Sequence, residues 1–184
     1  MSHLIHVGTN RLKKKEYKSF IEEVSSKFDE IYGDTFEGYF QHIPLEDLTS
    51  ETQEKVKNAL KEDVKEYAFN LLTTEDDGEF PMFKLSGLGS VKLIRQSPRN
   101  KAFDYPKWEF EAKNLNNLSS AITVIWHLND IDARGELEFN FQEIMIQPSD
   151  KEVVIFPSYF THAHKFHPED KPKLFLITTF FIGG

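Results

Sequence analysis

Between Asn10 and Tyr32 apolar side chains recur every three or four positions, at Leu12, Tyr17, Phe20, Ile21, Val24, Phe28, Ile31 and Tyr32. At 3.6 residues per turn they fall on one stripe, which predicts an amphipathic helix. Thr9 or Asn10 stands where a cap would start it, and Gly33 where a left-handed C-cap would end it. The run Lys13-Lys14-Lys15 falls in the first turn, where the helix dipole disfavours cations, and reads as a solvated face. A second helix is predicted from about Thr49 to Leu72, with Val56, Ala59, Leu60, Val64, Tyr67, Ala68 and Leu71 as its stripe. Ser50-x-x-Gln53 reads as its capping box. Glu75-Asp76-Asp77-Gly78 has no apolar content and predicts a turn.

After Phe80 the period shortens to that of strands. The candidates are 91–96, 105–111, 121–128, 136–141, 143–147, 153–156 and 174–182, and turn signals such as Gly87-Leu88-Gly89, Asn129-Asp130 and Pro148-Ser149-Asp150 lie between them. Helices first and closely spaced strands later predict an α+β chain, its strands forming a sandwich or barrel with the helices laid on one sheet. With no linker or repeat in view, residues 1–184 are expected to form one domain, about 10–72 supporting a strand core over about 80–182.

Composition narrows the chemistry. The chain has no Cys, so disulfides, thiolate metal sites and a Cys nucleophile are excluded, and a metal could be held only by nitrogen and oxygen. Its 22 Lys+Arg and 30 Asp+Glu leave a net charge of −8, which argues against a nucleic-acid partner. The apolar runs fall short of the ~18 residues of a membrane span. The first ten residues show no signal-peptide pattern, so a cytoplasmic location is expected.

Two clusters could carry chemistry. In an extended 105–111, Tyr105, Lys107, Glu109 and Glu111 share one face, while Pro106, Trp108 and Phe110 share the other and should pack on a core. Glu109 and Glu111 would then point the same way, either as an exposed polar face or as oxygen ligands for a divalent metal. The second cluster is His162-Ala163-His164 with His167, beyond the apolar strand Val153–Phe156. His162 and His164 share a face if the stretch is extended, as solvated or satisfied histidines or as metal ligands. His127 lies in a strand apolar on both sides and reads as a core histidine.

Taken in order, several segments resemble the iron(II)/2-oxoglutarate dioxygenase superfamily, in particular the short prolyl-hydroxylase-like proteins of marine bacteria and phages. They are Tyr105-x-x-Trp108-Glu109-Phe110-Glu111, Trp126-His127-Leu128-Asn129-Asp130 and Arg134-Gly135-Glu136-Leu137-Glu138-Phe139. Val154-Ile155-Phe156-Pro157-Ser158, Phe160-Thr161-His162-Ala163-His164 and Lys173 continue the series. The resemblance implies a double-stranded β-helix, a jelly-roll barrel with a metal at its open end. It implies Fe(II) (Mn(II) or another divalent ion in its place) and 2-oxoglutarate as cofactors, with Glu111 and His162 as metal ligands. Lys173 matches the basic residue that grips the distal carboxylate of 2-oxoglutarate. Glu109 stands where the family has its first His ligand. A site with two carboxylates and one imidazole is harder and more anionic than the family's, and favours Mn(II), Mg(II) or Ca(II) more strongly. The implied activity is hydroxylation of a small-molecule or peptide substrate, peptidyl proline by association with relatives. The alternative is a barrel that has lost iron and serves as a binding or structural module.

Overall fold

The computed structural model describes residues 4–33, 40–72, 85–98, 108, 109, 111, 114, 115, 118–131, 135–168 and 170–183. In chain order its elements are β1 (His6–Thr9), α1 (Lys14–Tyr32), β2 (Phe40–Pro44), α2 (Ser50–Leu72), β3 (Leu85–Leu88), β4 (Lys92–Gln96) and β5 (Asn114–Leu115). There follow β6 (Leu118–His127), β7 (Leu137–Phe139), β8 (Ile144–Ile146), β9 (Glu152–Pro157), β10 (His164–Phe166) and β11 (Lys173–Gly183).

Helix α1 begins four residues later than its apolar stripe suggests. The Asn10 side chain accepts the Leu12 N–H at 3.3 Å, a local turn that keeps this stretch out of the helix. Lys13 has extended backbone at the N-cap, and Glu16 reaches back to accept its N–H at 3.1 Å. At the other end Gly33 takes φ +58° and donates to Asp29 O, a conformation glycine enters without steric cost. Lys13, Lys14 and Lys15 are exposed, as a solvated face requires. In α2 the cap is Thr49, not Ser50: the Thr49 hydroxyl accepts the Thr52 N–H. Gln53 instead donates to Leu48 O and Glu46 O, closing the preceding 3-10 turn.

The sheet pairings are all antiparallel. The larger sheet runs β1-β9-β6-β11-β4-β2, with β3 added to β11 and β5 to β6, and the smaller is β10-β7-β8. Alternation along β6 sorts the layers. Val124, Trp126 and Leu128 join Phe20, Phe28, Val64 and Tyr67 in a core beneath the helices. Ile125 faces the other way and joins Phe139, Phe156, Phe166 and Phe175 in a second core between the sheets. Each buried phenylalanine there contributes roughly 1.5–3 kcal/mol. The result is helices, large sheet and small sheet in three layers.

Six of the seven expected strands are present, as β4, β6, β7, β8, β9 and β11. The seventh, 105–111, lies largely outside the described residues, as does the turn expected at 75–78. Gly87 and Leu88, expected to turn, are strand and pair with Phe181 and Phe180. Residues 160–162 form a 3-10 turn, so the extended stretch that would align His162 with His164 begins only at His164. Trp108 is 41 % exposed, not in a core. Its ring face is covered by Lys165 Nζ at 4.5 Å, a contact available at the surface without burial.

Candidate functional site

A cavity of about 170 Å³ opens on the face of the large sheet that looks toward the small one. Lys92 and Ile94 of β4 and Phe175, Ile177 and Thr179 of β11 line it, because residues two apart on a strand share a face. Glu109, Glu111 and Phe166 line it too, as does His42 of β2.

Glu109 is held there by its backbone. Its N–H donates to His164 O and its carbonyl accepts the His164 N–H, both at 2.9 Å. Partners in such a pair present their side chains on the same face. Burial first, and the neighbouring Glu111 second, raise the Glu109 carboxyl above the usual range, and Lys92 opposes them. Glu109 and Glu111 both line this cavity, and His162, expected to converge with them, does not.

His162 is buried but is not among the residues that line this cavity. Its Nδ1 lies 3.0 Å from the Thr161 hydroxyl, and its ring stacks on Phe156 at 6.5 Å between centroids. His164 is more deeply buried, with its ring against Phe139, Phe156 and Phe166. Its Nδ1 meets His162 O at 3.3 Å, Nε2 has no hydrogen-bond partner, and burial lowers its pKa to about 4.

Lys173 begins β11 and is 1 % exposed. Its Nζ donates to Gly135 O at 2.7 Å and lies 4.9 Å from the centre of the Phe166 ring. Phe166 stacks on Phe175 at 4.4 Å, and both rings line the cavity while Lys173 does not. His127 is a core histidine as expected, 0 % exposed, with neither ring nitrogen hydrogen-bonded. Burial, then the nearby Lys173, lower its pKa to about 3. Its Nε2 is 3.8 Å from Glu152 Oε1, and burial raises that carboxyl to about 7.

No protein-family model and no curated protein sequence matches this chain. Solved structures do. The viral collagen prolyl hydroxylase of Paramecium bursaria Chlorella virus-1, in its 2-oxoglutarate complex, aligns with TM-score 0.67 and 12 % identity over 98 % of this chain and 97 % of that one. A prolyl hydroxylase from Trichoplax adhaerens, in complex with a hypoxia-inducible-factor peptide fragment, gives 0.68 and 13 % over 98 % and 84 %. A Pseudomonas putida prolyl-4-hydroxylase gives 0.63 and 15 % over 100 % and 95 %. The fold is the prolyl hydroxylase fold.

Within that fold, iron(II) would need three converging ligands and 2-oxoglutarate a cation within reach of them. Among the described residues, no group of three or more His, Asp or Glu side chains is placed to hold a metal ion. Glu109 and Glu111 share a cavity that neither His162 nor Lys173 lines, and Lys173 Nζ lies against the ring of Phe166, which does line it. Among the described residues, this arrangement does not bring Glu109, Glu111 and His162 together as a three-ligand group.

Reading the sequence did not foresee Lys92, Glu152 or Asp63. Asp63 had a signal, a carboxylate inside the apolar stripe Leu60, Val64, Tyr67. Lys92 and Glu152 had none: a charge at the first position of a strand is ordinary, and what each faces is set by strands far away in sequence.

Proposed function

We propose that this chain uses the prolyl hydroxylase fold as a binding module and does not run an iron(II)/2-oxoglutarate hydroxylation. One observation carries the reading: the acid pair Glu109 and Glu111 lines the cavity, while Lys173, its Nζ 4.9 Å from the centre of the Phe166 ring, does not. A cosubstrate would have to span both places at once. Two carboxylates beside the cavity also oppose an anionic cosubstrate. A peptide is the ligand class best supported, because the Trichoplax relative of this fold is in complex with one.

The second reading is an oxygenase with an altered triad of Glu109, Glu111 and His162, with Lys173 on 2-oxoglutarate. The shared cavity of Glu109 and Glu111 favours it. Anaerobic titration with Fe(II) and 2-oxoglutarate separates the two. The binding-module reading expects no visible charge-transfer band and, on admitting oxygen, no succinate. A band followed by oxygen-dependent succinate would overturn it and establish the oxygenase.

A further inference from the structure

A second cleft lies on the opposite face of the large sheet, between β1 and α2, and encloses about 190 Å³. Its apolar side is Val153 and Ile155 of β9, and its polar side is His6, Thr9, Asp63 and Glu66. Asp63 is 3 % exposed. Its Oδ2 accepts the Trp126 indole N–H at 2.8 Å, its buried Oδ1 has no hydrogen bond of normal geometry, and the Arg11 backbone N–H lies near the same carboxyl. The nearest cation, Arg11, keeps Nε 4.0 Å from Oδ1 and gives its Nη2 to Glu66 instead. That distance is ion-pair range and too long for a hydrogen bond.

A buried carboxylate oxygen without a donor is costly, so a ligand that supplies one is favoured. Above about pH 7, where Asp63 is ionised, two carboxylates against one guanidinium exclude an anion. The cleft lacks the three-ligand grouping a divalent metal requires among the described residues. His6 has its pKa lowered, by burial and then by Arg11, so its neutral ring can accept a proton donor as well. Arg11 is half exposed and can move aside.

We propose that this cleft binds a primary alkylammonium group, whose N–H donors meet Asp63 Oδ1 and the Glu66 carboxylate while its chain lies on Val153 and Ile155. The site is independent of the cavity at Glu109 and Glu111, since the large sheet separates them.

The hydrogen bond from Trp126 makes its indole N–H a local reporter. The whole chain is labelled with ¹⁵N and titrated with n-butylammonium chloride, with n-butanol and sodium chloride at matched concentrations as controls. The expected result is a saturable shift of the Trp126 indole resonance with n-butylammonium alone. Asp63→Asn keeps an acceptor for Trp126 and should weaken binding about tenfold or more, as loss of a charged hydrogen bond does. Arg11→Ala removes the competing cation and should tighten it, which keeps the test valid if Asp63→Asn folds poorly. No saturable shift in either wild type or Arg11→Ala would mean a cleft that holds only water, and would overturn the proposal. An equal response to n-butanol would also overturn it, by showing an apolar cleft indifferent to charge.

Discussion

At the scale of single residues, the chain turns on Glu109. Its backbone is fixed to His164 by two hydrogen bonds, so the side chain enters the cavity whatever residue stands there. Glu109→His should therefore place an imidazole beside Glu111 and raise the affinity for Fe(II), because imidazole suits iron better than a second carboxylate does. The binding-module reading expects tighter iron with no succinate. Calorimetric titration of Fe(II) under argon, followed by a succinate assay, checks both halves. Unchanged iron affinity would show that Glu109 is not at a ligand position. Phe166 can be tested separately. Its ring covers Lys173 and is part of the stack with Phe175, so Phe166→Ala should cost about 3–5 kcal/mol of stability. If the folded variant also gains affinity for 2-oxoglutarate without metal, measured by equilibrium dialysis, Phe166 is what screens the lysine. A variant that is destabilised but still does not bind 2-oxoglutarate would place the obstruction elsewhere.

At the scale of elements, the start of α2 is set by one hydroxyl. Thr49 accepts the Thr52 N–H and also lies 3.2 Å from the Glu23 carboxylate of α1, so the cap ties the two helices together. Thr49→Ala should cost about 1 kcal/mol, the usual value for a lost N-cap, and Thr49→Ser should recover most of it. Urea denaturation of the three proteins measures this, and equal losses for Ala and Ser would show that the methyl group, not the hydroxyl, matters. The same element shows what local sequence conveys. Long stripes and runs such as Val56–Tyr67 and Val153–Phe156 were legible because burial imposes a period on them. The four-residue β1, with Gly8 inside it, and the three-residue β10 were not, because strands this short exist only through partners distant in sequence. The candidate site divides in the same way. That Glu109 and Glu111 face together follows from a period of two. That Lys173 lies against Phe166 and does not line their cavity depends on how strands from two sheets meet, which no local pattern encodes.

At the scale of the whole molecule, buried titratable groups of opposite tendency share the two cores. Asp63 beneath the helices and Glu152 between the sheets are both raised by burial to about 7. His127 and His164 are lowered to about 3 and about 4. For each carboxyl the folded state binds more protons than the unfolded chain, from the ordinary carboxylate range up to about 7, so stability falls as pH rises through that window. For each histidine the unfolded chain binds more protons, from the lowered value up to its ordinary 6.5, so stability rises with pH there. Over most of the range from pH 4.5 to 6.5 the two tendencies oppose each other, and the wild-type profile should be shallow. Glu152→Gln removes one carboxyl and leaves both histidines, His127 among them with its Nε2 3.8 Å from Glu152 Oε1. The variant should gain stability relative to wild type steadily as pH rises from 5 to 8, because the wild type alone must then ionise a buried acid. Melting temperatures of both proteins at half-unit intervals test this. Parallel profiles would mean that Glu152 ionises in the fold as freely as it does in water.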